Sequence, residues 1–138
     1  MTQEDKALLL KDLCARLPYN VICQVEFKEN GKYNSKVMLL SGIFTDEAYF
    51  TTKGGSIYSN EYKPYLFPLS SMTKEQKTEC FKGTSLELSK YNEIYGYSEY
   101  TDLECYLKVI DWLNKNHFDY RGLIKMGLAI DATGLYIY

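Results

Sequence analysis

The alternation of apolar and polar residues after Val21 is the feature that most limits how this chain can fold. Side chains of a strand point alternately to opposite faces, so a period of two predicts a strand with one buried face. The dipeptide Asn30–Gly31 follows, and both residues tolerate the positive φ that a tight hairpin turn requires. The apolar residues at every second position are Val21, Cys23, Val25 and Phe27.

The chain after this first strand contains three more strand-like segments separated by turn residues. The return strand covers residues 37–44, and shorter strands are predicted at 48–52 and 56–58, with turns at 45–47 and 53–56. Four strands joined by short turns predict an antiparallel meander that curls into a small open barrel.

Helical spacing appears on both sides of this meander. An N-terminal helix should begin at a Thr2 cap and end near residue 16, because Pro18 excludes its predecessor from the helical region. A second helix should follow a capping box at Thr101 and Glu104 and end near Lys115. The apolar stripes of these two helices are Leu10, Leu13, Cys14 and Leu17, and Leu103, Leu107, Ile110 and Leu113. We expect Cys14 and Cys105 to be buried.

Two shorter helices are also predicted, with Thr73 and Gln76 capping one on the surface and Asp119 capping one that Gly127 ends. Residues 65–67, between two prolines, should be extended but poorly suited to the interior of a sheet. Residues 135–138 form either an edge strand or a frayed end. With 138 residues, the chain is expected to be one α+β domain covering 1–138, with the helices packed against the meander.

The charge balance disfavours a nucleic-acid partner. The chain carries 16 basic and 18 acidic residues, a net charge of −2, whereas nucleic-acid-binding proteins usually carry a basic excess. We find no export signal and no apolar run of about 18 residues, so the expected location is the cytoplasm, without membrane contact and with reduced cysteines.

Catalytic signatures are not found. The chain has one histidine, His117, so it lacks the residues for a multi-histidine metal site, and it has no glycine-rich nucleotide motif. We expect no cofactor and nominate no catalytic residue, although a small hydrolase using His117 or a cysteine stays as the least favoured option. His117 is predicted to end the long helix, where an imidazolium suits the negative end of the dipole.

Candidate binding residues fall in three segments. The first is a rigid, aromatic, extended segment between prolines. In the second a cation, an acid and aromatic rings lie close together, and Arg121 beside Asp119 either binds an anionic or planar group or makes an internal ion pair packed on a ring. The third is a run of tyrosines, a residue favoured at recognition surfaces, in a chain with 14 of them. The candidates are Lys63 and Tyr65; His117, Asp119, Tyr120 and Arg121; and Tyr91, Tyr95, Tyr97 and Tyr100.

Three stretches of the chain also resemble a family of short proteins from Bacteroidales gut bacteria and their phages or prophages. They are EDKALLLKDLCARLPY, KPYLFPLSSMT and DWLNKNHFDYRGLIKMGLAID, a little over a third of the chain. The family often has two histidines where this sequence has Asn116 and His117. The resemblance implies a mobile-element setting and no mechanism, ligand or fold.

The leading hypothesis is a non-catalytic, cytoplasmic binding or accessory protein of a mobile element that contacts protein partners through a tyrosine-rich surface. The alternative is a small-ligand or nucleotide-binding protein, with an anionic ligand in a pocket near Lys63, Tyr65, Asp119 and Arg121. The oligomeric state, including a homodimer, is left open.

Overall fold

The computed structural model describes residues 1–44, 47–82 and 102–138, and these contain three α-helices and seven strands. The predicted turn at Thr45–Asp46, the cap at Thr101 and the four tyrosines between 91 and 100 lie outside the described residues. The helices are α1 (Gln3–Arg16), α2 (Lys74–Phe81) and α3 (Asp102–Lys115). The strands are β1 (Ile22–Glu29), β2 (Lys32–Phe44), β3 (Glu47–Thr52), β4 (Gly55–Ser59), β5 (Tyr62–Pro68), β6 (Phe118–Asp119) and β7 (Ile130–Asp131).

The strands form one mixed sheet in the order β4-β3-β2-β1-β5-β6, with β7 also paired to β5. The predicted antiparallel meander is confirmed as β1 to β4. The expected sheet of about four strands is too small, and the sheet does not close into a barrel. It is larger because β5 pairs antiparallel with β1, and the two short C-terminal strands then pair parallel with β5.

The central segment therefore lies inside the sheet, which corrects our expectation for residues 65–67. Tyr62–Pro64 pairs with β1, whereas the residues that follow pair with β6 and β7. The prolines are tolerated because Pro64 is the last residue in the ladder to β1 and Pro68 ends the strand, so few ladder hydrogen bonds are lost.

The main core lies between α1 and the inner face of the sheet. It contains Val21, Cys23 and Val25 of the predicted alternation, together with inner residues of β2 and β3 and residues near the C-terminus, whereas Phe27 is only half-buried and lies outside it. Its fully buried members include Leu13, Val21, Cys23, Val25, Ala48, Phe50, Leu66 and Leu123. A smaller cluster joins α2, α3 and β6 through Cys80, Val109, Leu113 and Phe118.

The two long helices have the predicted limits but not the predicted buried faces. Cys14 of α1 is exposed and Cys105 of α3 is half-buried, whereas Cys23 and Cys80 are buried. On α3 only Leu113 of the predicted stripe is buried, and Leu103 is 72% exposed. Burial depends on which face of a helix packs against the rest of the fold, and the spacing of apolar residues along the helix does not determine that face.

The chain after β6 also differs from the prediction. The Asp119 carboxylate accepts hydrogen bonds from the backbone amides of Leu123 (2.9 Å) and Ile124 (2.8 Å), as a cap does. The residues that follow form turns instead of a regular helix. Tyr138 is neither in a strand nor frayed, because its hydroxyl bonds to the backbone of β1 and β5.

Candidate functional site

Arg121 of the closing motif joins a cluster whose other charged members, Asp12 and Arg16, are fully buried residues of α1. Arg16 and Asp12, one helical turn apart and both fully buried, are joined by Nε–Oδ2 (2.6 Å) and Nη2–Oδ1 (3.1 Å) contacts. Arg16 Nη2 also donates to the Phe118 carbonyl at 2.8 Å. Arg121 Nε lies 3.2 Å from Asp12 Oδ1, so one carboxylate faces two guanidinium groups.

Tyr120 completes this cluster. Its ring centroid lies 5.3 Å from Cζ of Arg16 and 4.9 Å from Cζ of Arg121, within the range of cation–π attraction. Arg121 therefore makes the internal ion pair packed on a ring, but with Asp12, not with its sequence neighbour Asp119. These groups hold α1 against the C-terminal segment.

His117 lies next to this cluster and differs from its predicted state. It has a left-handed backbone (φ 61°) directly after α3, and its carbonyl accepts from the Phe67 amide at 2.9 Å. The side chain is buried, and this burial, together with the nearby Arg16 charge, lowers the His117 pKa to about 4. The imidazole is therefore neutral at pH 7, and the predicted imidazolium is wrong.

The central motif shares a cavity with Ile130 of the closing motif, but not with its candidate residues Asp119, Tyr120 and Arg121. Lys63 lies opposite Gln24 and lines a cavity of about 400 Å³ that also contains Glu26 and Glu61. Tyr65 is buried within the sheet. Tyr138 contacts both Tyr65 and His117, because its hydroxyl bonds to the Tyr65 carbonyl and its ring stacks on His117.

A different candidate site lies at the outer edge of β4, the last strand on one side of the sheet. The two-residue loop Lys53–Gly54 connects β3 and β4, so the pair that closes it, Thr52 and Gly55, exchanges both backbone hydrogen bonds. Antiparallel ladders alternate, so every second residue of β4 bonds to β3. Ser56 and Tyr58 alternate with the residues that bond to β3, so their N–H and C=O groups point away from β3.

These groups face the second half of β1 across a gap that we call the seam groove. Ser59 closes one end, because its hydroxyl donates to the Glu26 carbonyl at 2.8 Å, and the Glu26 amide donates to the Glu61 carbonyl at 2.9 Å. Beyond Ser59 and Glu26, β4 and β1 are not paired. The same alternation holds from the Asn30–Gly31 turn, where the closing pair is Glu29 and Lys32, so the N–H and C=O groups of Lys28 point away from β2 and toward the gap. No described residue bonds to these backbone groups.

The seam groove consists of two adjoining cavities, of about 480 Å³ near Ser59 and about 340 Å³ near Gly55. Phe27 and Ile57 line both cavities. The larger cavity also includes Tyr33 and Tyr58, which are 73% and 57% exposed. The groove thus combines apolar side chains, exposed aromatic rings and unpaired backbone groups.

Charged side chains are distributed unevenly along the seam groove. The cavity near Ser59 is lined by three glutamates and one lysine, and the cavity near Gly55 by two lysines and one glutamate. None of these side chains forms an ion pair with any part of the chain that the structure describes. The charged residues are Glu26, Glu47 and Glu61 at the first end, Lys36 and Glu29 at the second, and Lys28 in both.

Sequence reasoning did not identify this groove. The available signal was that 56–58 is the last strand of the meander and is followed by no further hairpin, which leaves it as an edge. This edge lies opposite β1 because the strands curve, and that arrangement belongs to the tertiary structure.

Comparison with family models, curated proteins and solved structures finds no match to the chain. Within the described ranges, no three His, Cys, Asp or Glu side chains are arranged to hold a metal ion. Within those same ranges, no helix combines the length and apolar character needed to cross a membrane.

Proposed function

We propose that this protein is a non-catalytic binding module that takes up an extended segment of a partner protein in the seam groove. The observation that carries the proposal is the pair of unpaired backbone edges, at Ser56 and Tyr58 on β4 and at Lys28 on β1. An exposed strand edge is a template for a further strand, and its main-chain hydrogen bonds supply affinity.

The side chains around the groove support this mode of binding. Tyr33 and Tyr58 offer exposed rings of the type enriched at protein interfaces. Phe27 and Ile57 provide an apolar floor for alternate side chains of an added strand. Tyrosine-based recognition thus remains part of the proposal, with these two tyrosines as its basis. The resemblance of the three motifs supports a mobile-element setting.

The other functions receive less support from the described contacts. The Asp119 carboxylate accepts from two backbone amides, and Arg121 Nε lies 3.2 Å from the Asp12 carboxylate, so the charge of each side chain already has a partner within the chain. His117 is buried against Tyr138 and is an unsuitable base for an external substrate.

Peptide binding to edge variants tests the proposal. Ser56→Pro removes one outward amide and leaves the bonds to β3 in place, whereas Ser56→Ala keeps the amide and serves as the matched control. The probe is a fluorescein-labelled peptide of alternating valine and threonine, capped by glycines, and fluorescence anisotropy gives Kd. We expect Ser56→Pro to weaken binding about tenfold, as for one strong hydrogen bond, and Ser56→Ala to change it less than about twofold.

Two further measurements make the result decisive. Thermal unfolding of both variants should match the wild type, and hydrogen exchange at the Ser56 and Tyr58 amides should slow when peptide is present. Equal affinity of Ser56→Pro and wild type, or unchanged exchange at both amides under saturating peptide, contradicts strand addition at β4.

A further inference from the structure

We infer that the seam groove selects an extended partner segment with a basic residue toward its N-terminus and an acidic residue toward its C-terminus. The inference rests on the function proposed above and adds the direction and chemistry of the bound segment. It follows from the charge distribution in the groove and from the direction of β4.

The charge distribution along the groove follows from how the strands run. Three successive antiparallel pairings make β4 antiparallel to β1, so Ser59 lies beside Glu26, and Gly55 lies toward Glu29. The glutamate-rich cavity is therefore at the Ser59 end and the lysine-rich cavity at the Gly55 end.

The lysines at the second end are available to an acidic group. The Lys36 ammonium lies 5.4 Å from the centroid of the Phe27 ring, and the Lys28 ammonium lies 5.7 Å from that of Tyr33. Each charge thus rests on an aromatic face at the groove and has no carboxylate partner in the described part of the chain. An incoming carboxylate would gain a charge-assisted hydrogen bond there.

Strand direction then determines which residue meets which end. Because β4 and β1 are antiparallel to each other, a strand between them can run antiparallel to only one of the two. Antiparallel pairs are more stable per residue, and β4 offers the outward groups of two residues against one on β1, so the added strand should run antiparallel to β4. Such a strand begins at the Ser59 end, near the glutamates, and ends at Gly55, near the lysines. Its central inward-facing residue meets Phe27 and Ile57 and should be apolar.

Two peptides of identical composition test this order. Both alternate valine and threonine; one has lysine near its N-terminus and glutamate near its C-terminus, and the other exchanges these two residues. Anisotropy at low salt should give about tenfold tighter binding for the lysine-first peptide, and about 0.5 M salt should reduce the difference because exposed charges are screened.

A charge-reversal variant links the preference to the named residues. In the double variant Lys28→Glu and Lys36→Glu, the lysine-first peptide should bind less than about twofold tighter than the glutamate-first peptide. Lys11→Glu, an equally exposed change on α1 outside the groove, should leave the preference unchanged. An unchanged preference in the double variant overturns the assignment of these lysines.

Failure of this inference differs from failure of the proposed function. Equal affinity for the two peptides, or tighter binding of the glutamate-first peptide, overturns the charge order while strand addition stands. Absence of binding for both peptides at roughly millimolar concentration overturns strand addition itself. A wild-type dimer that Ser56→Pro converts to a monomer would show that a second copy of the chain, and not a partner segment, occupies the groove.

Discussion

The ring of His117 stacks on the ring of Tyr138, with centroids 3.7 Å apart and planes 10° apart. The Tyr138 hydroxyl donates to the Tyr65 carbonyl at 2.8 Å and accepts from the Ile22 amide at 3.1 Å. Tyr138 therefore contacts His117, two residues after α3, and two central strands. This explains why the C-terminus is held in place without being part of a strand.

Removal of the Tyr138 hydroxyl should reduce stability. In Tyr138→Phe the Ile22 amide and the Tyr65 carbonyl lose a partner, and we expect the free energy of unfolding to fall by about 1–3 kcal/mol, measured by urea denaturation. Tyr136→Phe is the matched control, because Tyr136 is 97% exposed and should change stability by less than about 0.5 kcal/mol. Equal stability of the two variants would show that the hydroxyl bonds are not important.

Stability should fall with decreasing pH because of His117. Its folded pKa is lowered to about 4 from 6.5, so the unfolded state binds the proton more readily between these values. The contribution of neutral His117 is therefore complete above pH 6.5 and decreases as pH falls toward 4, by about 3 kcal/mol in all.

The variant His117→Asn isolates this effect. Asparagine tolerates the left-handed backbone at this position and does not titrate. Denaturant titrations of both proteins at several pH values should show a shallower decline for the variant between pH 6.5 and 4. Parallel curves for the two proteins would show that His117 is not the titrating group.

Substitution of Asp12 should strongly destabilise the fold. Asp12→Asn has nearly the same shape but leaves Arg16 buried without a counter-charge, and such changes cost about 3–5 kcal/mol. The exposed neighbour Lys11→Gln should cost less than about 0.5 kcal/mol. Thermal unfolding by circular dichroism compares the two, and similar Tm values would contradict a stabilising role for the buried cluster.

Cysteine accessibility should follow burial in the fold and not the helical stripes. Cys14 is exposed, whereas burial raises the pKa of the Cys23 thiol and removes it from solvent. Iodoacetamide under native conditions should alkylate Cys14 about a hundred-fold faster than Cys23, which reacts only through opening of the core. Peptide mass spectrometry measures the two rates, and a denatured sample should show them nearly equal. Comparable native rates would contradict the core position of Cys23.

Local patterns predicted the elements that depend on nearby residues. The cap at Thr2, the end of α1 at Arg16 and the hairpin at Asn30–Gly31 agree with the structure, because each is determined within a few residues. The effect expected of Pro18 is wrong, because Leu17 keeps a helical backbone (φ −51°, ψ −39°) and the chain continues as a 3₁₀ helix over Leu17–Tyr19. The candidate site was less accessible to this reasoning. Arg121 was correctly considered for an internal pair, but its partner Asp12 is more than a hundred positions away.

The sequence by itself determined an α+β chain, because the periods of its side chains and its caps and turns specify helices and strands locally. The tertiary structure alone decided that β5 lies inside the sheet, that His117 is neutral and that β4 is an unpaired edge opposite β1. Each of these depends on strands or charges brought together from distant parts of the chain. The energies of such contacts arise from burial and pairing across the fold, so the spacing of residues within one segment does not predict them.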